Sequence, residues 1–407
     1  MGADVIGRRE RERRVRRLAV VAYGVLAVAL VAVLAVIAVI ALRASHELVI
    51  EADYSEPAIV EVEQSLIRSL DAKGFTVQTY DNGDEDIIVE KVEDTRDPRR
   101  VALGITARPV NSRQFPDVVS LGVVTKIPLL IVGRGPDGTY ASPADLRGKR
   151  IQIGDYASVS ADLAQRLLAA YGVTPENSTL QRDAPDVARD LLIAGDSDAA
   201  FELYSPRGEG NRSLRDLVVS KDFSLVPMPS TKALAGQLEF VDVGTLPRGA
   251  FSITADAPAR DMSVILVPIT VVAHSGTSTS AIYAMAQGLK EDFGRADVLA
   301  SPGEFPQLSD NLPNDPEAAS YYETSAVPWQ YQTLPPVLAD LFIPLAVAGT
   351  IFLVLASLYQ VLLPEAYSLW TGVLRPSRQR RREVRAERRS ARRARREETG
   401  SDDLNGP

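Results

Sequence analysis

The chain has no cysteine, and only two histidines and two tryptophans among its 407 residues. Without cysteine there is no disulfide, no thiolate metal site and no cysteine nucleophile. His46 and His274 lie far apart in sequence, which argues against a histidine metal centre and leaves little material for a Ser-His-Asp triad. The carboxylates are too many and too scattered to single out an acid and a base. Enzymatic activity, a metal and a cofactor are therefore not expected.

What is present is charge in blocks. Residues 1–17 carry seven arginines and a net charge of +4, residues 43–340 a net −17, and residues 375–398 twelve arginines and a net +8. The acidic middle is not built for nucleic acid. Two uncharged runs separate the blocks. Residues 18–42 form 25 residues without charge, roughly 37 Å as helix against a ~30 Å hydrocarbon core. A cleaved signal peptide has a shorter apolar core, about 7–15 residues, so the run reads as an uncleaved anchor. Residues 341–364 form the second run, with Pro344 near its first turn and Trp370 beyond it. Both basic blocks lie on the outer sides of these runs. The positive-inside rule then puts both termini in the cytoplasm and the acidic middle outside. A helical tail presenting Arg380, Arg381, Arg388, Arg389, Arg392 and Arg393 suits anionic lipid headgroups, at up to ~1 kcal/mol per arginine.

Between the runs the pattern is α/β. Glu47–Asp53 reads as a strand, and Pro57–Ala72 as a helix with Ile59, Val62, Leu66, Ile67 and Leu70 on one side. Strands follow at Phe75–Tyr80, Val101–Thr106 and Val118–Val132, the last interrupted at Pro128; Ile87–Val92 is ambiguous. The stretch Ser142–Tyr204 gives a turn, a strand at Arg150–Gly154, a helix closed by Gly172, a second helix at Asp186–Ala194, and a strand at Asp198–Leu203. That alternation predicts a parallel sheet with crossover helices, whose ligands lodge at strand carboxyl ends against helix N-termini. Later come short strands at Phe223–Met228 and Leu238–Val243 around a helix at Ser230–Gly236. An apolar run at Met262–Ala273 is broken by Pro268, and helices follow at Ser278–Phe293 and near Glu317–Glu323. Two lobes result, with Pro128–Arg134 and roughly Val243–Ile269 as hinge strands and a cleft between them.

Candidate cleft residues follow from this layout. Ser158 and Ser160 precede a helix, as N-cap hydroxyls or ligand contacts. Asp155 heads the same loop, and Tyr54 and Ser55 hold the matching place in the first lobe. Thr106 and Tyr204 sit at strand ends, and Lys126 offers a fixed positive charge, to a ligand or to a nearby carboxylate. His274 reads as a polar residue at the entry of a helix.

Three segments carry a family resemblance. Pro143-Ala-Asp-Leu-Arg-Gly-Lys-Arg-Ile-Gln-Ile-Gly154, the Asp-Ala-Ala-Phe strand and Asn314-Asp-Pro-Glu-Ala-Ala-Ser-Tyr-Tyr-Glu323 occur in the order seen in extracytoplasmic solute-binding proteins of type II periplasmic-binding fold. Within these the chain is most similar to the TAXI group associated with TRAP transporters, some members of which end in an apolar span after a lead-in like Leu334-Pro-Pro-Val-Leu-Ala-Asp340. The resemblance covers about residues 47–365. It implies a two-lobed α/β body in a bacterial cytoplasmic membrane, which the two apolar runs would hold by one N-terminal and one C-terminal transmembrane helix. The body would take a small organic solute and deliver it to an integral membrane permease. The expected divisions are a basic head at 1–17, a span at 18–42, lobe 1 at 43–133 and 244–336, lobe 2 at 134–243, a span at 337–364 and a tail at 365–407.

The departures point elsewhere. Glycine-rich loops let backbone N–H groups approach an anionic ligand, yet the two loops here are Ala52-Asp-Tyr-Ser-Glu-Pro57 and Asp155-Tyr-Ala-Ser-Val-Ser160. Neither contains glycine, and the first carries two carboxylates. Either the ligand differs in kind, or solute binding is lost and the body serves as an accessory or assembly subunit of a membrane complex.

Overall fold

The computed structural model describes residues 47–354 apart from Ser55, 82–84, 97–99, Ala157, 207–211 and Glu239, together with Val31, Leu34, Ala35 and Ser357. The basic head, nearly all of the first apolar run, Ser55 and the arginines at 380–393 lie outside the described residues. Two compact units are resolved, Met1–Leu341 and Phe342–Pro407.

The first unit is built on one mixed sheet. Its strands are β1 (Glu47–Ala52), β2 (Thr76–Asp81), β3 (Val101–Thr106), β4 (Val118–Arg134), β5 (Arg150–Gln152), β6 (Thr179–Gln181), β7 (Ala199–Leu203), β8 (Phe223–Leu225), β9 (Asp242–Leu246) and β10 (Met262–His274). They run in the order β2-β1-β3-β10-β4-β7-β5-β6, with β8 on β4 and β9 on β10. The order repeats itself. In the first half the parallel trio β2-β1-β3 is followed by the end of β10, antiparallel, and then by the start of β4. In the second half the parallel trio β6-β5-β7 is followed by the end of β4, antiparallel, and then by β8. Thus β4 and β10 each begin in one half and finish in the other, and they pair with each other through the middle.

The expected breaks at Pro128 and Pro268 do not occur; β4 runs through 17 residues and β10 through 13. The reason lies in the edges. β7 pairs β4 only from Leu129 onward, and β10 changes neighbour between Leu266, its last partner to β9, and Thr270, its first to β3. Each proline falls in a gap where no strand needs its missing N–H.

Helices cover the sheet. They are α1 (Pro57–Asp71), α2 (Glu85–Glu93), α3 (Val159–Ala170), α4 (Pro185–Ala194), α5 (Arg212–Val219), α6 (Thr231–Leu238), α7 (Thr279–Phe293), α8 (Pro316–Thr324) and α9 (Trp329–Thr333). α1 starts with Pro57 at a position that needs no N–H, and it buries Ile59, Val62, Leu66 and Leu70 completely. The ambiguous stretch at 87–92 is helical because Ile88 and Val92, one turn apart, close over Gly104 of β3 beside Val272 of β10. One hydrophobic cluster runs through both halves, from Ile50 and Ile105 across Ile127 and Leu129 to Ile151 and Phe201.

The three resemblance segments perform structural work. Ser142 and Asp145 cap a short 3₁₀ turn reciprocally, and Arg150 bonds Asp198 to tie β5 to the start of β7. Asp315 caps α8 through the N–H groups of Glu317 and Ala318, while the Tyr322 hydroxyl donates to Leu121 O at 2.7 Å. Asp340 accepts from the backbone N–H and the hydroxyl of Ser280 at 3.0 and 2.6 Å, capping α7.

The helix Pro336–Val354 has 19 residues and a mean hydropathy of 2.3. By length and composition it can cross a bilayer. It is the one such helix among the described residues.

Candidate functional site

The loops after β1 and β5 lead into α1 and α3, and the two helix N-termini meet between the halves. Here the two loops differ. Ser158 is the N-cap of α3, accepting from Ala161 N–H at 3.2 Å. Glu56 is the N-cap of α1 and makes no capping bond; its carboxyl turns across to the other half, where Ser160 Oγ lies 2.7 Å from Oε1. Ser160 Oγ is 2.9 Å from Ser158 Oγ, which donates to Asp155 O at 2.8 Å. Gly154, at φ 110, leaves room for the two hydroxyls; a Cβ there would collide with Ser160 Oγ.

The floor of this contact is acidic and closed. Asp53, Glu56 and Glu202 are each at most 5 % exposed. Burial pushes the Glu56 carboxyl up to about 7, reinforced by Asp53, Glu202 and Asp155. Glu202 is likewise pushed up to about 7 by burial, against the pull of Arg189, whose Nε donates to it at 2.9 Å. The void lined by Glu56, Gly154, Ser160 and Glu202 is about 10 Å³, room for about one water and no organic ligand. Further along α1, Ser205 donates to Glu61 at 2.6 Å, a second bond between the halves.

The predicted residues are brought together only in part. Ser158, Ser160 and Asp155 form the chain of oxygens just described. Tyr54 turns away to donate to Glu63, and burial first, then that bond, pushes its hydroxyl up to about 12. Thr106 is fully buried and accepts from Arg108 N–H at 3.0 Å. Tyr204 packs on Phe251, ring centroids 4.8 Å apart. Lys126 pairs with Asp242 at 2.8 Å. His274 accepts from Gly276 N–H at 2.9 Å, holding the turn from β10 towards α7.

Open space lies nearer the surface. A recess of about 410 Å³ is bordered by Arg108 and Asn111 from the first half and by Asp162, Leu163, Arg166 and Phe240 from the second. A neighbouring recess of about 230 Å³ shares Arg108 and Phe240 and reaches Lys126. Arg108 crosses the mouth to Asp162 at 2.8 Å. Sequence reasoning did not single out Glu56, Glu61, Glu202, Arg108 or Asp162. Glu202 did carry a signal, a charge inside the buried run Ala199–Leu203. Glu56 carried one too, as a carboxylate where a helix start favours a short hydroxyl.

Residues 110–212 match the family model described as NMT1/THI5 like. Among solved structures, the chain resembles the BenM effector binding domain with its effector benzoate (12 % identity, 61 % of this chain and 91 % of that one, TM-score 0.39). It also resembles the substrate binding protein of an amino acid ABC transporter (13 %, 60 % and 92 %, TM-score 0.36). A third is the alkanesulfonate-binding protein SsuA from Xanthomonas axonopodis pv. citri bound to MOPS (15 %, 61 % and 75 %, TM-score 0.35). At these scores none of the three bears on what this chain binds. Among the described residues no cluster of His, Cys, Asp or Glu has the makings of a metal site.

Proposed function

We propose that this chain is a membrane-anchored extracytoplasmic body of solute-binding architecture that closes on its own side chains and serves as an accessory subunit of a membrane protein complex. One observation carries this reading: the Glu56 carboxyl occupies the place where the N-termini of α1 and α3 meet, and it joins Ser160 of the other half directly. An anion drawn to those helix ends would meet a carboxyl already there. Both termini lie in the cytoplasm on this reading, two helices cross the membrane, and the arginines at 380–393 hold anionic headgroups. The repeated strand order and the match over residues 110–212 support the solute-binding architecture. The test is a thermal-shift screen of the full chain in lipid nanodiscs against small organic acids and amino acids, with co-purification from the native membrane. A flat screen with a stoichiometric membrane partner is expected; a shift of several degrees would overturn the reading.

A second reading rests on the 410 Å³ recess, whose volume is that of a small-molecule site. A small organic anion seated on Arg108 and Arg166 would make the chain a receptor for a TRAP-type permease. Loss of a thermal shift in Arg166→Ala would select this reading.

A further inference from the structure

The chain of oxygens between the halves has one more link than its hydroxyls can supply with protons. Three contacts run in series: Asp155 O to Ser158 Oγ at 2.8 Å, Ser158 Oγ to Ser160 Oγ at 2.9 Å, and Ser160 Oγ to Glu56 Oε1 at 2.7 Å. Asp155 O is a carbonyl and only accepts. Each link needs one proton, and the two serines hold two. If Ser158 donates to the carbonyl and Ser160 donates to Ser158, the third proton sits on Glu56, whose carboxyl then donates to Ser160. An ionised Glu56 would leave two oxygens facing each other with no hydrogen between them, in a chain whose two serines and Glu56 are each at most 4 % exposed.

We propose that closure of the two halves is linked to uptake of one proton by Glu56, so that the body closes as the pH falls and opens as it rises. This rests on the self-closing reading above. Burial and the neighbouring carboxylates favour the neutral form of Glu56, against the Ser160 hydroxyl, whose bond favours the charged one. Asp53 stands on its own loop, Asp155 on the loop before α3 and Glu202 on β7, while Arg189 on α4 pairs with Glu202 and Asp186. Ser160 of α3 supplies the one direct partner. Glu61, the other α1 carboxylate at the contact, has its own hydroxyl in Ser205, and Arg108 and Asp162 pair with each other at the mouth. Strands β4 and β10, which pass from one half to the other, are the places about which the halves can part.

The sign follows from the two environments. Closed, the Glu56 carboxyl is raised to about 7 by burial; open to water, it returns to about 4.3. Closure is then fully favoured below about pH 4 and is lost as the pH rises through about 7. Between these limits the closing constant falls about tenfold per pH unit.

The experiment uses the full chain in nanodiscs. The absence of native cysteine allows spin labels to be placed cleanly through Lys73→Cys beyond α1 and Ala170→Cys at the end of α3, both exposed. Electron–electron dipolar distances are recorded at pH 5 and pH 8. The expected result is one short distance at pH 5, a longer population at pH 8, and a short distance at both pH values in Glu56→Gln, whose amide supplies the missing hydrogen. Ser160→Ala, which removes the partner, should shift the pH 5 population towards the longer distance. A short distance at both pH values in the unaltered pair would overturn the proton link and leave the self-closing reading standing. A long distance at both would overturn the two together. A pH response retained in Glu56→Gln would move the linkage to another group and overturn the assignment.

Discussion

The two halves share a strand order and differ at the cap of the first helix. In the second half Ser158 does what a helix start asks, accepting from Ala161 N–H. In the first half Glu56 occupies the cap and leaves the helix end without a side-chain bond. The lost cap is compensated across the contact, because the free carboxyl finds the spare hydroxyl of Ser160. A repeated scaffold thus becomes a complementary pair, carboxyl against hydroxyl, and on the reading proposed above this is what would let the halves close without a third molecule.

The comparison can be broken most severely at Arg189. It is 7 % exposed and donates to Glu202 and Ser213 beneath the second half. Arg189→Ala leaves Glu202 buried without its cation and should cost about 3–5 kcal/mol, read as a large fall in thermal midpoint at pH 8. The loss should shrink at pH 5, because Glu202, already raised to about 7, then takes a proton instead. A smaller effect is expected in the first half, where α1 and α7 touch so closely that a Cβ on Gly288 would collide with the Ser69 hydroxyl. Gly288→Ala should cost about 1–3 kcal/mol by overpacking, and Ser69→Ala in the same chain should recover part of it. Equal stabilities of the single and double variants would show that the helices simply separate. Smallest is the cap itself. Ser158→Ala should remove about 1 kcal/mol from the start of α3, visible as faster amide exchange at Ala161. Glu56→Ala, which removes no cap bond, should leave amide exchange at the start of α1 unchanged while weakening closure.

Much of this architecture could be read from residue pattern. The period of Ile59, Val62, Leu66 and Leu70 places α1 because burying one face of a helix dominates its stability. The alternation in Ser142–Tyr204 marks β5, β7 and the two helices between them, but not the three-residue β6 at Thr179–Gln181. Pro128 and Pro268 misled, because a proline's effect on a strand depends on which edge needs its N–H, and edges are set by strands far away in sequence. The candidate site was less legible. Ser158, Ser160 and Asp155 do stand together at the start of α3, with Ser160 inside its first turn, whereas Thr106, Tyr54 and Tyr204 serve local packing and bonding. Lys126 does reach the smaller recess, already paired with Asp242.

By itself the sequence determined the blocks of charge, the apolar segments and the alternation of strand and helix, since each depends on neighbours within a turn or two of the chain. Only the tertiary structure decided what fills the space between the halves. Glu56 and Ser160 are 104 positions apart, and whether a carboxyl there welcomes a ligand or replaces it depends on a contact that local pattern does not encode.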